Sequence, residues 1–542
     1  MNSLSNKKDN VELLDLPDEL ILTVVKMGDF QISFLCSIID VGNRRLEQLT
    51  FDQCRRIDLV VDYIEAKESS LLRKRLYSDI MPRIYDQIQS LTINIHHVAS
   101  IQKFLERNYN GILPNLIHLR IRLCVKHSKS GIRYRLGSRR MCFLELWEQP
   151  LFTIVAHCFF LPEFSIGEHL TKLCRSSVVR SVRSLEVDDC CSLINSFRKG
   201  ERYFTDVPRL THIRLSLLDF YQCVNLLLEL GPQLHSLVIT LGRCVSFNSD
   251  LRSDLEAISC PKLKQVKMTI YENFDEYETC FSLLRCLSSV EYLTLLLAIG
   301  KNGVEPNHFI DELVLEKSML RYMYHLRQFK FHIRSILKYA SHHMMNEIHE
   351  SFLRQQPFNC VYDYFKNNYG QCQIYSIPFV GTRLDFISNR FPLFDGTFSS
   401  VTTLLIFDDV LPFENSFFQR LAQALPRLKT LEIRNELGQQ QKAMAANMNT
   451  DRIHFPHLTV LILYVIHMDY AEQFLCQIHH SSLVELAINK EILLAIIEQN
   501  HPQARDNCSR IGSLLTSKPS YEIIDKIEEF FPVAEYFKHI KE

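Results

Sequence analysis

The amino-acid sequence predicts an α/β protein in two parts: a short helical module, then a curved solenoid with a parallel sheet inside and helices outside. Three observations lead there. A short pattern recurs, in which an apolar residue is followed, after two variable positions, by Leu-x-Leu or an aliphatic equivalent. Most neighbouring copies lie about 24–30 residues apart, the period of stacked structural repeats rather than of a single packed domain. Between copies run amphipathic stretches at helical spacing, at 221–230, 277–287, 416–425 and 470–478, punctuated by Gly231-Pro232 and Pro426.

Taken in order, the first element starts at Leu13-Leu14-Asp15-Leu16-Pro17-Asp18-Glu19-Leu20-Ile21-Leu22. Pro17 at the first helical position, with Asp18 and Glu19 in the first turn, predicts a helix start, because the missing N–H costs nothing there and the acids face the positive end of the dipole. Leu20, Ile21, Val24 and Val25 make an apolar stripe, and Gly28 ends the helix. Asp29 caps a second helix with Ile32, Leu35, Ile38 and Ile39 on its buried side. A third runs from Asn43 through Leu49 and buries Leu46 and Leu49. Three small helices within residues 11–60 form a marginal core, so the first repeats or another protein are expected to pack against them.

The repeat array follows over residues 85–490, with insertions near 124–181 and 334–400, and residues 491–542 read as a C-terminal helical cap or tail. Its copies begin at Ile88, Leu116, Val182, Leu210, Leu234, Leu263, Val290, Leu326, Val401, Leu428, Leu458 and Leu483. The clearest follow a proline, as in Pro114-Asn115-Leu116 and Pro426-Arg427-Leu428. Within each strand the two apolar side chains point inward and the residues between them outward. Neither the strand layer nor the helix layer buries its apolar face alone, so the stack is the folding unit. The second insertion is rich in aromatic residues and holds an extra hairpin or a degenerate repeat.

The repeat period and the apolar pattern resemble the leucine-rich-repeat family in its longer, helix-bearing subclass. Leu16-Pro17-Asp18-Glu19-Leu20, with the later Val41-Gly42-Asn43-Arg44-Arg45-Leu46, resembles an F-box over residues 13–58. The order of the two matches that of the F-box/leucine-rich-repeat proteins, substrate-recognition subunits of SCF-type cullin–RING ubiquitin ligases. The resemblance implies that Leu16, Pro17, Glu19, Leu20, Ile21, Leu35 and Leu46 bind a Skp-family adaptor, and that the repeats hold a protein substrate whose identity the sequence does not specify. The alternative is a ligase-independent scaffold or inhibitor in which residues 13–58 only cap the array.

The outward strand residues are the candidates for substrate contact. Arg120, Arg122, Arg214, Lys267 and Lys330 make the early face mostly basic, interrupted by Glu186 and Asp188, whereas Leu405, Phe407, Ile462 and Tyr464 make the later face apolar. Such a face suits an acidic or phosphorylated peptide with an apolar anchor. A C-terminal segment lying over Phe407 and Ile462 is the other reading.

Chemistry is absent from the motifs: there is no Gly-rich phosphate loop, His-Glu-x-x-His or Gly-x-Ser-x-Gly. The pairs His96-His97, His342-His343 and His479-His480 point to opposite faces of any strand, which makes poor metal ligands. No enzyme activity, cofactor or metal is therefore expected. The 17 cysteines are scattered without a Cys-x-x-Cys, as free thiols in a reducing compartment would be. A polar N-terminus and the lack of a long apolar run argue against secretion and membrane insertion, which points to an intracellular protein, cytoplasmic, nuclear or both. The net charge of −1 argues against nucleic acid as a partner, although Lys126 to Arg140, a basic stretch read as a flexible surface loop, keeps phosphate binding in view.

Overall fold

A computed structural model gives the fold. The structure describes residues 16–27, 32–51, 54–59, 74–94, 98–108, 110–122, 131–135, 172–187, 192–193, 204, 207–217, 219–241, 251–274, 277–300, 309–338, 340, 358–393, 396–440, 453–517 and 521–534. Gly28, Asp29, Asp188, His96-His97, His342-His343 and most of the basic stretch lie outside the described residues.

Helices α1 (Asp18–Met27), α2 (Ile32–Val41) and α3 (Arg44–Phe51) form the N-terminal module. The strands follow in chain order: β1 (Arg56–Asp58), β2 (Ser90–Asn94), β3 (His118–Arg122), β4 (Gly131–Arg135), β5 (Ser184–Val187), β6 (Ser192–Leu193), β7 (His212–Leu217) and β8 (Ser236–Leu241). Then come β9 (Gln265–Phe274), β10 (Tyr292–Ile299), β11 (Gln328–Lys338), β12 (Phe358–Tyr364), β13 (Tyr369–Ser376) and β14 (Arg383–Ile387). The last are β15 (Thr403–Phe407), β16 (Thr430–Asn435), β17 (Val460–Ile466), β18 (Glu485–Ile488) and β19 (Ser513–Ser517). Helices at Phe220–Leu230, Tyr277–Cys286 and Asn415–Ala424 alternate with them, within a residue or two of the bounds expected from periodicity. The chain is thus an α/β protein with mostly parallel sheet, and none of its described helices is long and apolar enough to cross a membrane.

The chain divides into two compact units. The first comprises Met1–Cys124, Pro162–Thr240 and Glu256–Gln265; the second comprises Val125–Leu161, Leu241–Leu255 and Val266–Glu542. In the first, the strands run β1-β2-β3-β5-β7-β8, with β6 beside β7 and parallel pairing from β1 through β7. In the second, β10 and β11 pair in parallel, and β11, β13 and β12 pair antiparallel as a hairpin edge. A separate parallel sheet runs β14-β15-β16-β17-β18-β19-β4. The second insertion therefore supplies both the hairpin β12–β13 and the repeat-like strand β14.

Every copy of the sequence pattern sits at the same place in this structure. Its first apolar residue lies two positions before a strand start, and all of these residues except Leu326 are buried. Most are held by a turn in which the N–H bonds the carbonyl three residues back, as Leu210 to Val207, Val401 to Phe398 and Leu428 to Leu425, and Leu234 bonds Leu230, four back. The two following amides then share one carbonyl of the preceding strand. Ile117 and His118 share Gln89 O, Arg183 and Ser184 share Ile117 O, and Thr211 and His212 share Arg183 O. In the second unit Lys429 and Thr430 share Thr402 O, and Thr459 and Val460 share Lys429 O. This pairing satisfies the backbone groups at each such strand start and fixes the register, so the inward Leu-x-Leu side chains line up within each unit.

Strands β1, β14 and β19 have a repeat-like lead-in that escaped the sequence pattern. Cys54-x-x-Ile57-x-Leu59 leads β1 with a buried cysteine in place of the first leucine. Gly381 leads β14, and Ile511-x-x-Leu514-x-Thr516 leads β19 with a buried threonine in the second inward slot. Residues 491–542 accordingly carry a further parallel strand, not only helices. The expected loop at 126–140 also needs correction, since Gly131–Arg135 pairs in parallel with β19.

Candidate functional site

The N-terminal module is built residue by residue from the two segments that define its sequence motif. α1 starts at Asp18, one position later than expected, and the Pro17 carbonyl accepts its first bonds from Leu20 and Ile21. At the other segment, Gly42 takes a left-handed φ of 67°, which a side chain would resist. Asn43 caps α3 by accepting the Leu46 N–H at 3.0 Å. Arg45 then ties the segments together, donating to Asp18 Oδ1 at 2.5 and 2.8 Å and to the Leu16 carbonyl at 3.0 Å. Ile21, Ile38 and Leu46 form the module's small core, with Leu16 and Leu49 partly buried against it.

This geometry sorts the residues expected to bind an adaptor. Ile21, Leu35 and Leu46 are buried and shape the module from within, so direct contact through them is corrected to a packing role. Pro17 and Glu19 are exposed, as are Leu20 (50%) and Val41 (57%), two of the more exposed apolar side chains among the described residues. The module also gains the outside support that its small core requires. Asp40 accepts from Arg75 at 2.7 Å, Glu47 accepts from Arg83 at 2.6 Å, and the Arg83 guanidinium lies over the Phe51 ring. The hydrogen bond from Arg75 holds the Asp40 carboxyl below its ordinary range.

The outward strand residues divide in the same way. In the first unit, Arg120 does not stand free: it pairs with Glu186 at 2.5 Å, and Glu186 lies in register with both Arg120 and Arg214. The expected basic face is therefore partly neutralised there. Arg122 is half-buried and Arg214 exposed; Lys267, in the second unit, is half-buried.

In the second unit the outward face is largely closed. Phe407 is buried, which corrects its expected exposure. It packs with Leu405, Phe386, Ile336 and Phe365 in a second small core on the face opposite the main one. Phe365 and Tyr369, at the turn of the β12–β13 hairpin, contribute to this cluster, so the cover over Phe407 is hairpin and not a C-terminal segment. Tyr464 is half-buried beside a third cluster of Ile462, Ala487 and Leu515. Strand β14 shifts register between Leu384 and Ile387, and there Phe386 takes a φ of 56°, rare for a bulky side chain. The bulge lets Leu384 and Ile387 face the main core while Phe386 faces the opposite side, under the Arg334 guanidinium at 4.5 Å.

Beside this aromatic cluster runs a row of buried polar groups. Glu432 and Arg434, each 1% exposed, pair at 2.6 Å, and Arg383 pairs with Asp385 at 2.8 Å while lying over the Tyr271 ring. His332 meets the Gln373 side-chain oxygen at 3.0 Å, and Gln373 in turn donates to the Phe386 carbonyl. That oxygen is an acceptor, so His332 Nε2 carries a proton; burial pushes its pKa down to about 4. Burial pushes Asp363 up to about 6, against the hydroxyl that Ser388 donates to it. Tyr271, His332, Arg334, Arg383 and Asp385 line a cavity of about 10 Å³, room for roughly one water. This row reads as an internal polar seam rather than a reaction centre.

A roomier cleft, about 310 Å³, lies between the start of β11 and the end of β13, lined by Arg327, Phe329, Lys330, Ser376, Ile377 and Pro378. Lys330, a residue expected to face substrate, stands in its wall. Among the described residues no group of three His, Cys, Asp or Glu side chains could hold a metal ion. No protein-family profile matches the chain, and no curated protein matches it significantly.

Proposed function

We propose that the chain is a substrate-recruiting subunit of a cullin–RING ubiquitin ligase, with a Skp-family adaptor on the N-terminal module and a protein substrate on the strand array. The observation that carries this reading is the module itself. Leu16–Leu20 and Val41–Leu46 are joined through Arg45, keep a buried centre, and present Pro17, Glu19, Leu20 and Val41 outward. A helical cap made only to close the array has no need to display Leu20 and Val41 to water, whereas a docking face does.

The test is co-expression of the full chain with a Skp-family adaptor, against a Leu20→Asp/Val41→Asp variant. Both positions are exposed, so the variant keeps its fold, whereas charge at the buried Ile21 would break the module and confuse the result. Capture of the intact chain, lost at least tenfold in the variant with an unchanged circular dichroism spectrum, supports the reading. An intact, folded chain that fails to bind the adaptor overturns it and leaves a binding scaffold that works without a ligase.

A further inference from the structure

We infer that the open edge at the start of β11 binds an extended acidic segment of a partner protein by strand addition. The inference rests on the substrate-recruiting reading for its biological setting and on the following geometry for its chemistry. β11 is 11 residues long, and β10 pairs with it from Gln328 through Ser335. On its other side the ladder to β13 covers only His332 through Lys338. Among the described residues, the first part of β11 is thus paired on one side alone.

The direction of the free backbone groups follows from parity. The Gln328 N–H bonds Glu291 O on the β10 side, so Gln328 and Lys330 address β10. Phe329 and Phe331 then address the opposite side. Phe331 does so visibly: its N–H bonds Ser376 Oγ at 3.2 Å, and its carbonyl accepts from the same hydroxyl at 3.3 Å. The hydroxyl stands in for a backbone partner at the point where β13 ends. β13 cannot extend the ladder further, because Pro378 has no N–H. The Phe329 N–H and carbonyl therefore face the cleft of about 310 Å³.

The walls of the cleft specify the occupant. Ile377, 38% exposed, gives an apolar side chain somewhere to rest. Lys330 projects from the outward face of β11 beside the cleft, and Lys267 holds the equivalent position in β9. Arg327 also lines the cleft, sharing its charge with Glu291 at 3.2 Å. An added strand would exchange two main-chain hydrogen bonds with Phe329, lay an acidic side chain toward Lys330 and turn its alternate apolar side chain toward Ile377. A basic segment would repel the lysine, and a proline-rich one lacks N–H groups for the backbone pair.

The experiment uses the full chain and a fluorescent six-residue peptide of alternating Glu and Val, with two companions. One companion replaces Glu by Lys; the other is N-methylated at alternate residues and so cannot complete the ladder. Binding is read by fluorescence anisotropy, and protection of the Phe329 amide by hydrogen exchange. The expected result is saturable binding of the Glu-Val peptide that slows Phe329 exchange, weakens about tenfold in Lys330→Glu, and is lost with either companion. No binding overturns the inference. So does binding that survives N-methylation and Lys330→Glu, because the peptide then sits elsewhere. Adaptor capture is measured on the same preparation. A chain that captures the adaptor but not the peptide retains the ligase reading and refutes the strand site, and the reverse result does the opposite.

Discussion

The outward faces of the two units differ although their inward faces are built alike. In the first unit, β8 alternates half-buried and buried residues along its length, as a strand with one solvated face does. In the second, all six residues of β16 are buried. The comparison separates two properties that the sequence pattern merges. Leu-x-Leu spacing decides where strands lie, while the fate of the residues between depends on what is laid over them. A charged residue at an outward position is thus a surface feature on β7 and an interior commitment on β16.

The sharpest way to break this comparison is to remove one member of each ion pair. Glu432→Ala takes a carboxylate away from a buried guanidinium and is expected to cost about 3–5 kcal/mol. Glu186→Ala, on the half-exposed pair with Arg120, is expected to cost less than about 1 kcal/mol. Urea denaturation followed by circular dichroism measures both, and equal costs would show that the two faces do not differ. Next in size is Phe407→Ala, which empties part of the aromatic cluster beneath the hairpin and should lose about 3 kcal/mol; a loss of a few tenths would mean the face is open.

A pH titration sharpens the contrast at intermediate scale. His332 and His480 are buried, and burial pushes both pKa values down to about 4. His480 Nε2 donates to the Phe474 carbonyl at 2.9 Å, which opposes this shift, but burial outweighs it. The folded pKa lies below the unfolded value of 6.5, so between these values the unfolded chain takes up protons that the folded chain refuses. Stability is therefore full above about pH 6.5 and falls as pH drops towards 4, by on the order of 1–3 kcal/mol for each histidine. His332→Gln should flatten part of this slope in urea titrations between pH 4 and 7. The smallest expected effect is at Arg45→Ala, whose exposed bonds to Asp18 and Leu16 contribute about 0.5–1 kcal/mol. Thermal melting of the variant, read against Arg120→Ala, places the module among the exposed pairs or sets it apart.

Much of the architecture was legible because inward residues carry a local signature. Strand positions followed from Val182, Leu210 or Leu428 alone, since each turn and ladder contact is made within a few residues of them. β1, β14 and β19 were hidden because Cys54, Gly381 and Thr516 fill slots that the pattern reserves for leucine. The outward face was far less legible. Phe407 looks free until Phe365, placed by a distant hairpin, is laid beside it, and Arg120 looks cationic until Glu186, 66 residues away, is brought into register. The edge at Phe329 left no trace in the sequence, because it arises from where β13 stops.

The shared carbonyl at each strand start has an evolutionary consequence. A new strand is aligned by two amides meeting one oxygen on its predecessor, so alignment ignores the length of chain between them. Steps of 28 residues, from Arg183 to Thr211, and 66 residues, from Arg120 to Glu186, end in the same alignment. The interval between two ladder neighbours is thereby free to lengthen or shorten while their alignment is kept. Diversity can accumulate in such intervals at little cost to the fold, whereas the β12–β13 hairpin closes one sheet beside β11 and a new sheet begins at β14.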